Sequence, residues 1–267
     1  MQTNKCLNCE NELSGKFCSG CGQKADTHRI SLKHFFFHDV LHGTFHIEKG
    51  MLFTAKEAMV RPGKAALDYI AGKRIRYYNV FYLILITAGL MLFIRHFFDG
   101  LMTEEGQNLA KHPVQLNEAS KKINELLSQK SKIIIFLFVP FAAINSFILF
   151  RRKKLNLGEH AIIAGMILLI MLILSTIGNA LFYAGLVIDF TNLVANIVSI
   201  SIIVLTFIYI IFGYWNAFGN LYTHWGMTYR ILLFFGLLFL EIATLFILIA
   251  GFVTNWKFGK LTIIPFG

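Results

Sequence analysis

Residues 61–98 read RPGKAALDYIAGKRIRYYNVFYLILITAGLMLFIRHFF, and this stretch decides the fold class of the chain. Its first half is basic, with Asp68 as the only acidic residue before the apolar half begins. From Tyr77 to Ile94 there is no Asp, Glu, Lys or Arg, and a helix of this length crosses the roughly 30 Å hydrocarbon core of a bilayer. The stretch therefore predicts a helix that enters a membrane directly after a basic segment.

The composition of the whole chain also indicates a membrane protein. Of its 267 residues 56% are hydrophobic and 15% are charged, whereas a soluble domain has about 25% charged residues. The net charge of +10 lies beside the apolar segments, as in proteins that keep positive residues on the cytoplasmic side. We therefore do not expect a nucleic-acid partner, the other common reason for a basic chain.

All four cysteines fall within the first 21 residues, in two CxxC pairs separated by eight residues. Each CxxC forms a tight turn that directs two thiolates at one point, and two such turns complete a tetrahedral site of four sulfurs. This donor set suits structural zinc, while a redox dithiol pair or a chance pattern are the alternatives. The predicted zinc ligands are Cys6, Cys9, Cys18 and Cys21.

A zinc ribbon over residues 1–27 is too small to bury a hydrophobic core, so the metal must supply its folding free energy. With four cysteines as ligands no coordination position stays open for water, which argues against catalytic zinc. The N-terminus has no apolar segment of a signal peptide, and free thiols suit a reducing compartment. We therefore expect the ribbon to be cytoplasmic.

Residues 31–46 read SLKHFFFHDVLHGTFH and combine an aromatic face with a row of histidines. A spacing of four residues places successive imidazoles on one face of a helix, where they can share a metal. The other interpretation is an amphipathic helix on the membrane surface with its histidines in water. A second metal or polar site would use His34, His38, Asp39 and His42.

The rest of the juxtamembrane region, within residues 28–78, predicts two short helices. Thr54 and Glu57 form a capping-box pattern that predicts the start of the first. This helix must end near Arg61, because the residue before a proline disfavours the helical conformation. Pro62 then opens a second helix, which ends at Gly72.

Basic residues in this region precede Tyr77, Tyr78 and Tyr82, which suit the aromatic belt of a membrane interface. Each Lys or Arg near an anionic leaflet contributes on the order of 1 kcal/mol of binding. The residues predicted to contact anionic lipid head groups are Arg61, Lys64, Lys73, Arg74 and Arg76.

The N-terminal third resembles a family of uncharacterised bacterial multi-pass membrane proteins that carry a zinc ribbon and a domain of unknown function. The resemblance rests on CxNC…GKFCSxCGQK, on RISLKHFFFHD, on the Arg61-Pro62-Gly63 turn, and on the pattern from Tyr69 through Gly72-Lys73-Arg74 to Tyr77. It implies a bacterial cytoplasmic membrane protein and brings no established activity.

Residues 79–267 predict an all-α transmembrane domain of about five helices. The predicted spans are 79–98, 133–150, 161–186, 193–215 and 231–253, with an extracytoplasmic helical loop over about 99–131. The basic run at residues 151–154 is the strongest topology signal. With the N-terminus inside, 17 of the 25 Lys and Arg residues lie on the cytoplasmic side and 8 outside, which favours a cytoplasmic N-terminus and a C-terminus outside.

Glu241 is the only acidic residue within a predicted span. A carboxylate at mid-bilayer costs about 2.5–3.5 kcal/mol on insertion scales, so such residues face the bundle interior and are functional candidates. Asn145 and Thr176 lie at a similar depth and are possible hydrogen-bond partners. The alternative to a transport role is a structural hydrogen bond between helices.

These features predict a non-enzymatic membrane platform with a cytoplasmic zinc-ribbon module for recruitment or regulation. Its expected partners are membrane lipids with anionic head groups and a protein bound through the ribbon. The alternatives are a transporter or channel that uses Glu241, and a membrane metalloenzyme that uses the histidine row.

Overall fold

The computed structural model describes residues 5–25, 49–101, 118–187 and 192–256. Within them regular structure is helical, apart from isolated β-bridges in the ribbon, which confirms the predicted all-α class. The histidine row lies outside the described residues. The α-helices are α1 (Lys49–Val60), α2 (Pro62–Ile70), α3 (Val80–Leu101), α4 (Glu118–Leu149), α5 (Leu157–Val187), α6 (Asn192–Phe218) and α7 (His224–Thr254).

Within the described residues, four helices are long and apolar enough to cross a membrane, whereas the hydropathy of the sequence predicts about five spans. A fifth apolar segment, Ile135–Leu149, is the C-terminal part of α4 and is shorter. Each of the five predicted spans thus corresponds to one apolar helix. The four long candidates are Val80–Phe98, Leu157–Gly185, Leu193–Leu221 and His224–Thr254.

Helix α4 joins two segments that the sequence predicted as separate. The polar segment that begins at Glu118 and the apolar segment that ends at Leu149 form one helix of 32 residues, about 48 Å long. The helix continues because no glycine or proline separates the two segments. Pro140 lies in the apolar part and lacks the N–H group that would bond the carbonyl four residues earlier.

Helix α5 is the centre of the bundle, and two thirds of its most apolar stretch is buried. Helix α3 runs parallel to it, since a Cβ at Gly165 would contact Val80 and the ring of Tyr183 stacks on Phe98 at 4.8 Å. Because α5 is covered on several sides, its sequence is apolar all round rather than striped.

The remaining long helices alternate in direction around this centre. Ser146 of α4 meets His160 at the start of α5, so these two helices are antiparallel. Gly213 near the end of α6 lies against Ile167 of α5, and α7 runs antiparallel to α4. The starts of α3, α5 and α7 and the ends of α4 and α6 therefore gather at one end, here called the basic end.

Helix α2 is embedded at the basic end, against α5 and α6. Pro62, Gly63, Ala65 and Ala66 are buried. A Cβ on Gly63 would lie 2.3 Å from the carbonyl oxygen of Gly213, so the two backbones touch here. Small residues permit this approach, as they do between transmembrane helices.

Helix α1 corrects the predicted role of Thr54. The helix already includes Lys49, so Thr54 lies inside it and does not cap it. Its hydroxyl instead donates to the carbonyl of Gly50 at 2.8 Å and accepts the backbone N–H of Tyr78 at 2.7 Å. This pairing satisfies a buried amide just before α3.

Candidate metal centre and intramembrane polar site

The four predicted cysteine ligands converge on one point. The Sγ atoms of Cys6 and Cys21 are 3.6 Å apart, those of Cys9 and Cys18 are 3.5 Å apart, and all four lie within 4.8 Å of one another. A tetrahedron with Zn–S bonds of about 2.3 Å has edges of about 3.8 Å. The spacing of the sulfurs therefore fits a metal ion at their centre.

Two turns of the same design hold these sulfurs. In the first, the N–H of Cys6 donates to the carbonyl of Asn11 at 2.8 Å, and in the second Cys18 donates to Gln23 at the same distance. The residue after each second cysteine is left-handed, with φ of 63° at Glu10 and 76° at Gly22. The ribbon therefore contains two equivalent knuckles that present their thiols face to face.

Backbone amides favour the thiolate form on the second knuckle. The N–H of Gln23 lowers the pKa of Cys21 to about 6, and that of Cys21 lowers the pKa of Cys18. At Cys9 the N–H of Asn11 also favours the thiolate, but burial and the neighbouring sulfurs outweigh it and raise the pKa to about 12. A divalent metal bound to all four sulfurs would favour the thiolate form of each cysteine.

Gln23 attaches the ribbon to the loop between α2 and α3, residues 71–79. Its side chain is 4% exposed, its Nε2 donates to the carbonyl of Gly72 at 2.7 Å, and its Oε1 accepts the N–H groups of Arg74 and Ile75 at 3.1 and 3.3 Å. Because Gln23 is two residues from Cys21, the metal centre and this loop are linked through one short segment.

Leu7 of the first knuckle packs on the same loop. A Cβ on Gly72 would lie 2.7 Å from Leu7 Cδ1, and Gly72 has a φ of 97° that disfavours any side chain. Glycine is therefore required at this position both by conformation and by the approach of the ribbon.

The basic residues predicted to contact lipid have several protein partners. Asp68 accepts from Arg61 Nη1 and from Lys73 Nζ, each at 3.0 Å, and Arg61 also pairs with Glu57. The guanidinium of Arg74 lies over the ring of Tyr69, 5.5 Å from its centroid. Lys64 and Arg76 are exposed. Contact of these residues with lipid stays a prediction.

Tyr77 is buried beside this ion-pair cluster, with its ring against Phe53 and Tyr69. Burial raises the pKa of Tyr77 to about 12, and the carboxylate of Asp68 acts in the same direction. The Tyr77 hydroxyl therefore stays neutral at physiological pH.

Of the predicted intramembrane polar residues, the structure brings Glu241 and Asn145 together. Asn145 is 2% exposed, and its Nδ2 donates to Glu241 Oε2 at 2.9 Å, which joins α4 to α7. Thr176 does not join them, since its hydroxyl donates to the carbonyl of Leu172 in its own helix.

A second polar contact near the basic end was not identified from the sequence. His160 is 1% exposed, its Nδ1 lies 2.9 Å from Ser146 Oγ, and its ring stacks on Phe218. Asn156 and Glu159 just before it exchange backbone-to-side-chain hydrogen bonds of 2.8 and 2.9 Å, a capping box that starts α5. The pattern Asn-x-x-Glu was a signal in the sequence that could have located this helix start.

Comparison with known proteins identifies one similarity. Residues 48–92 match the model of a family described as a protein of unknown function, DUF3667. The match covers about a sixth of the chain, namely α1, α2, the loop that receives the ribbon and the first half of α3. No curated protein and no solved structure matches the chain.

Proposed function

We propose that this protein is a non-enzymatic platform in the bacterial cytoplasmic membrane, with a zinc ribbon that recruits or regulates a protein partner. The ribbon is cytoplasmic, the chain crosses the membrane five times, and the C-terminus is outside. The resemblance of the N-terminal third to bacterial membrane proteins supports the location, and the gathering of basic residues at one end of the bundle supports the orientation.

The observation that carries this proposal is the attachment of the ribbon through Gln23. The buried side-chain amide of Gln23 forms hydrogen bonds with Gly72, Arg74 and Ile75. A ribbon on a free tether would not form such bonds with the bundle. Each of these hydrogen bonds contributes about 0.5–1.5 kcal/mol net to holding the ribbon against the loop. The ribbon is thereby held in a defined orientation on the bundle, as a docking module requires.

A surface for a partner is available on the ribbon. Phe17 lies on the bridge that precedes the second knuckle and is 63% exposed. An exposed aromatic side chain on a small rigid module is a common anchor of a protein interface. The closed set of four sulfur ligands supports a structural rather than catalytic role for the metal.

The test uses a photocrosslinking amino acid at Phe17 of the full-length protein in native membranes. The control carries the same group at Leu193, which is 69% exposed on α6 and faces lipid in the proposed arrangement. We expect a discrete protein adduct from position 17 that is absent at position 193 and is lost with Cys9→Ser and Cys21→Ser. Equal capture at both positions, or capture that survives loss of the cysteines, would contradict the proposal.

A second candidate function, a transporter or channel, is favoured by the contact between Glu241 and Asn145. A carboxyl held by one amide between two membrane helices can exchange a proton or an ion. Glu241→Gln keeps its shape and most of its hydrogen bonding but cannot ionise. If transport is the role, this variant loses a phenotype that deletion of the protein produces, while its expression stays normal. A wild-type phenotype for Glu241→Gln leaves only the structural role.

A further inference from the structure

Two arginines pack on one tyrosine at the basic end. The guanidinium carbons of Arg152 and Arg230 lie 4.6 and 4.2 Å from the centroid of the Tyr222 ring. Arg152 follows α4, Tyr222 lies between α6 and α7, and Arg230 is in the second turn of α7. Three separate segments thus bring two positive charges to one place.

Main-chain carbonyls hold both guanidinium groups in position. Arg152 Nη1 donates to Leu221 O at 2.5 Å, and the backbone N–H of Arg152 donates to the Tyr222 hydroxyl at 3.2 Å. Arg230 donates through Nε to Leu149 O at 3.1 Å and through Nη1 to Gly226 O at 2.7 Å. Both arginines are therefore ordered, and N–H donors remain on each for another acceptor.

In the described parts of the chain, no carboxylate is paired with either arginine. Among the described residues neither Arg152 nor Arg230 forms a salt bridge, and the other charged residues of the same turn, at positions 151, 153 and 154, are also basic. Glu159 is buried and caps α5. The two guanidinium groups beside this ring repel each other, so a bound anion would reduce their electrostatic repulsion.

The depth of the site is marked by exposed aromatic residues. Trp225 is 86% exposed and Tyr229 is 48% exposed, and both lie in the first two turns of α7 around Arg230. Exposed Trp and Tyr at the start of a membrane-crossing helix are typical of the interface with lipid head groups. These residues support a position of the site at the level of the lipid phosphates.

We propose that Arg152, Tyr222 and Arg230 form a binding site for an anionic phosphate group, such as the head group of an anionic phospholipid. Guanidinium groups present paired N–H donors that match phosphate oxygens, and Tyr222 fixes their orientation. The start of α7 adds positive partial charge at the same place. This site is distinct from the basic residues of 61–76, several of which pair with Asp68, Glu57 or Tyr69.

The experiment measures binding of phosphatidylglycerol to the purified full-length protein in detergent, with zwitterionic phosphatidylcholine and inorganic phosphate as comparison ligands. Arg152→Gln removes charge-assisted hydrogen bonds, so we expect it to weaken phosphatidylglycerol binding about tenfold. The matched control is Arg151→Gln, the same charge change one residue away with no contact to Tyr222. It should shift affinity by less than about twofold, as expected for an exposed charge.

The outcomes separate the proposal from non-specific attraction. Equal weakening by Arg151→Gln and Arg152→Gln, or equal affinity for phosphatidylcholine, would overturn it. If inorganic phosphate competes with phosphatidylglycerol in the wild-type protein but not in Arg152→Gln, the site exists and its ligand is a soluble phosphate compound. Arg230→Gln also removes the bonds to Leu149 and Gly226, so Tyr222→Leu is the second variant. It should weaken binding as Arg152→Gln does, and unchanged binding would contradict the site.

Discussion

Gly63→Ala tests whether α2 is embedded in the bundle. The added Cβ would lie 2.3 Å from Gly213 O, 2.4 Å from Ala217 N and 2.8 Å from Ala217 Cβ. Two of these three atoms belong to the backbone, so rotation of a side chain cannot relieve the clash. An ordinary contact begins at 3.4 Å, so α2 and α6 must separate by about 1.1 Å.

Overpacking of this kind costs about 1–3 kcal/mol, while replacing a helical glycine by alanine gains about 0.5–1 kcal/mol. Subtracting the gain leaves a net loss of up to about 2.5 kcal/mol, or up to about 10 °C in Tm at about 2–4 °C per kcal/mol. The assay is thermal unfolding of the purified protein in detergent. Gly236→Ala is the matched control, because a Cβ at Gly236 has no heavy atom within 4 Å.

We expect Gly236→Ala to keep or slightly raise Tm while Gly63→Ala lowers it. Equal Tm values for Gly63→Ala and Gly236→Ala would mean that α2 does not touch α6. Helix α2 would then lie on the membrane surface, as a basic juxtamembrane segment does in the simplest interpretation of the sequence.

Three further predictions concern other parts of the molecule. Because burial raises the pKa of Tyr77 to about 12, the folded state holds this proton more tightly than the unfolded chain, and the free energy of unfolding falls as pH rises from about 10 to about 12. Tyr77→Phe should show a smaller fall in the unfolding temperature over this pH range. An identical fall in both proteins would contradict the burial of Tyr77. Purified wild-type protein should contain one zinc ion per chain, and the double variant Cys9→Ser/Cys21→Ser should contain little zinc. Less than about half an equivalent of zinc in the wild-type protein would count against the site. Reporter fusions should place Lys154 inside and Gly267 outside, and a cytoplasmic Gly267 would mean that one span has been miscounted.

The long apolar runs and the doubled CxxC predicted most of what the structure contains, because both signals are local. A run without charges such as Tyr77 to Ile94 has few alternatives to a membrane helix. Cysteines at the spacing of Cys6, Cys9, Cys18 and Cys21 define a metal site without any knowledge of the surrounding fold.

The features that depend on distant parts of the chain were not predictable. Gln23 is an ordinary polar residue in the sequence, and its role depends on carbonyl and amide groups of residues 72–75. The sequence predicted a helix from Pro62 to Gly72 but not its position in the bundle. The small residues of α2, Gly63, Ala65 and Ala66, decided its position, because they let it approach α5 and α6.

The pairing of Arg152 with Arg230 was also not predictable from the sequence. The sequence reveals a basic run at 151–154 and explains it as a topology signal. That Arg152 shares the ring of Tyr222 with a residue 78 positions later follows only from the antiparallel packing of α4 and α7.

Hydrogen exchange at the amides of Arg74 and Ile75 in the full-length protein, with and without metal, tests whether the metal-bound ribbon is docked on the bundle. With metal bound we expect slow exchange at both amides, because Gln23 Oε1 accepts both N–H groups. Removal of the metal by a chelator, or Gln23→Ala with metal present, should speed exchange at the Ile75 amide by about tenfold, as expected for loss of its buried acceptor. The effect at Arg74 should be smaller, because its N–H also donates to the carbonyl of Gly72 at 2.9 Å. Exchange rates at Arg74 and Ile75 that do not change under either treatment would show that the metal-bound ribbon is not docked on the membrane bundle.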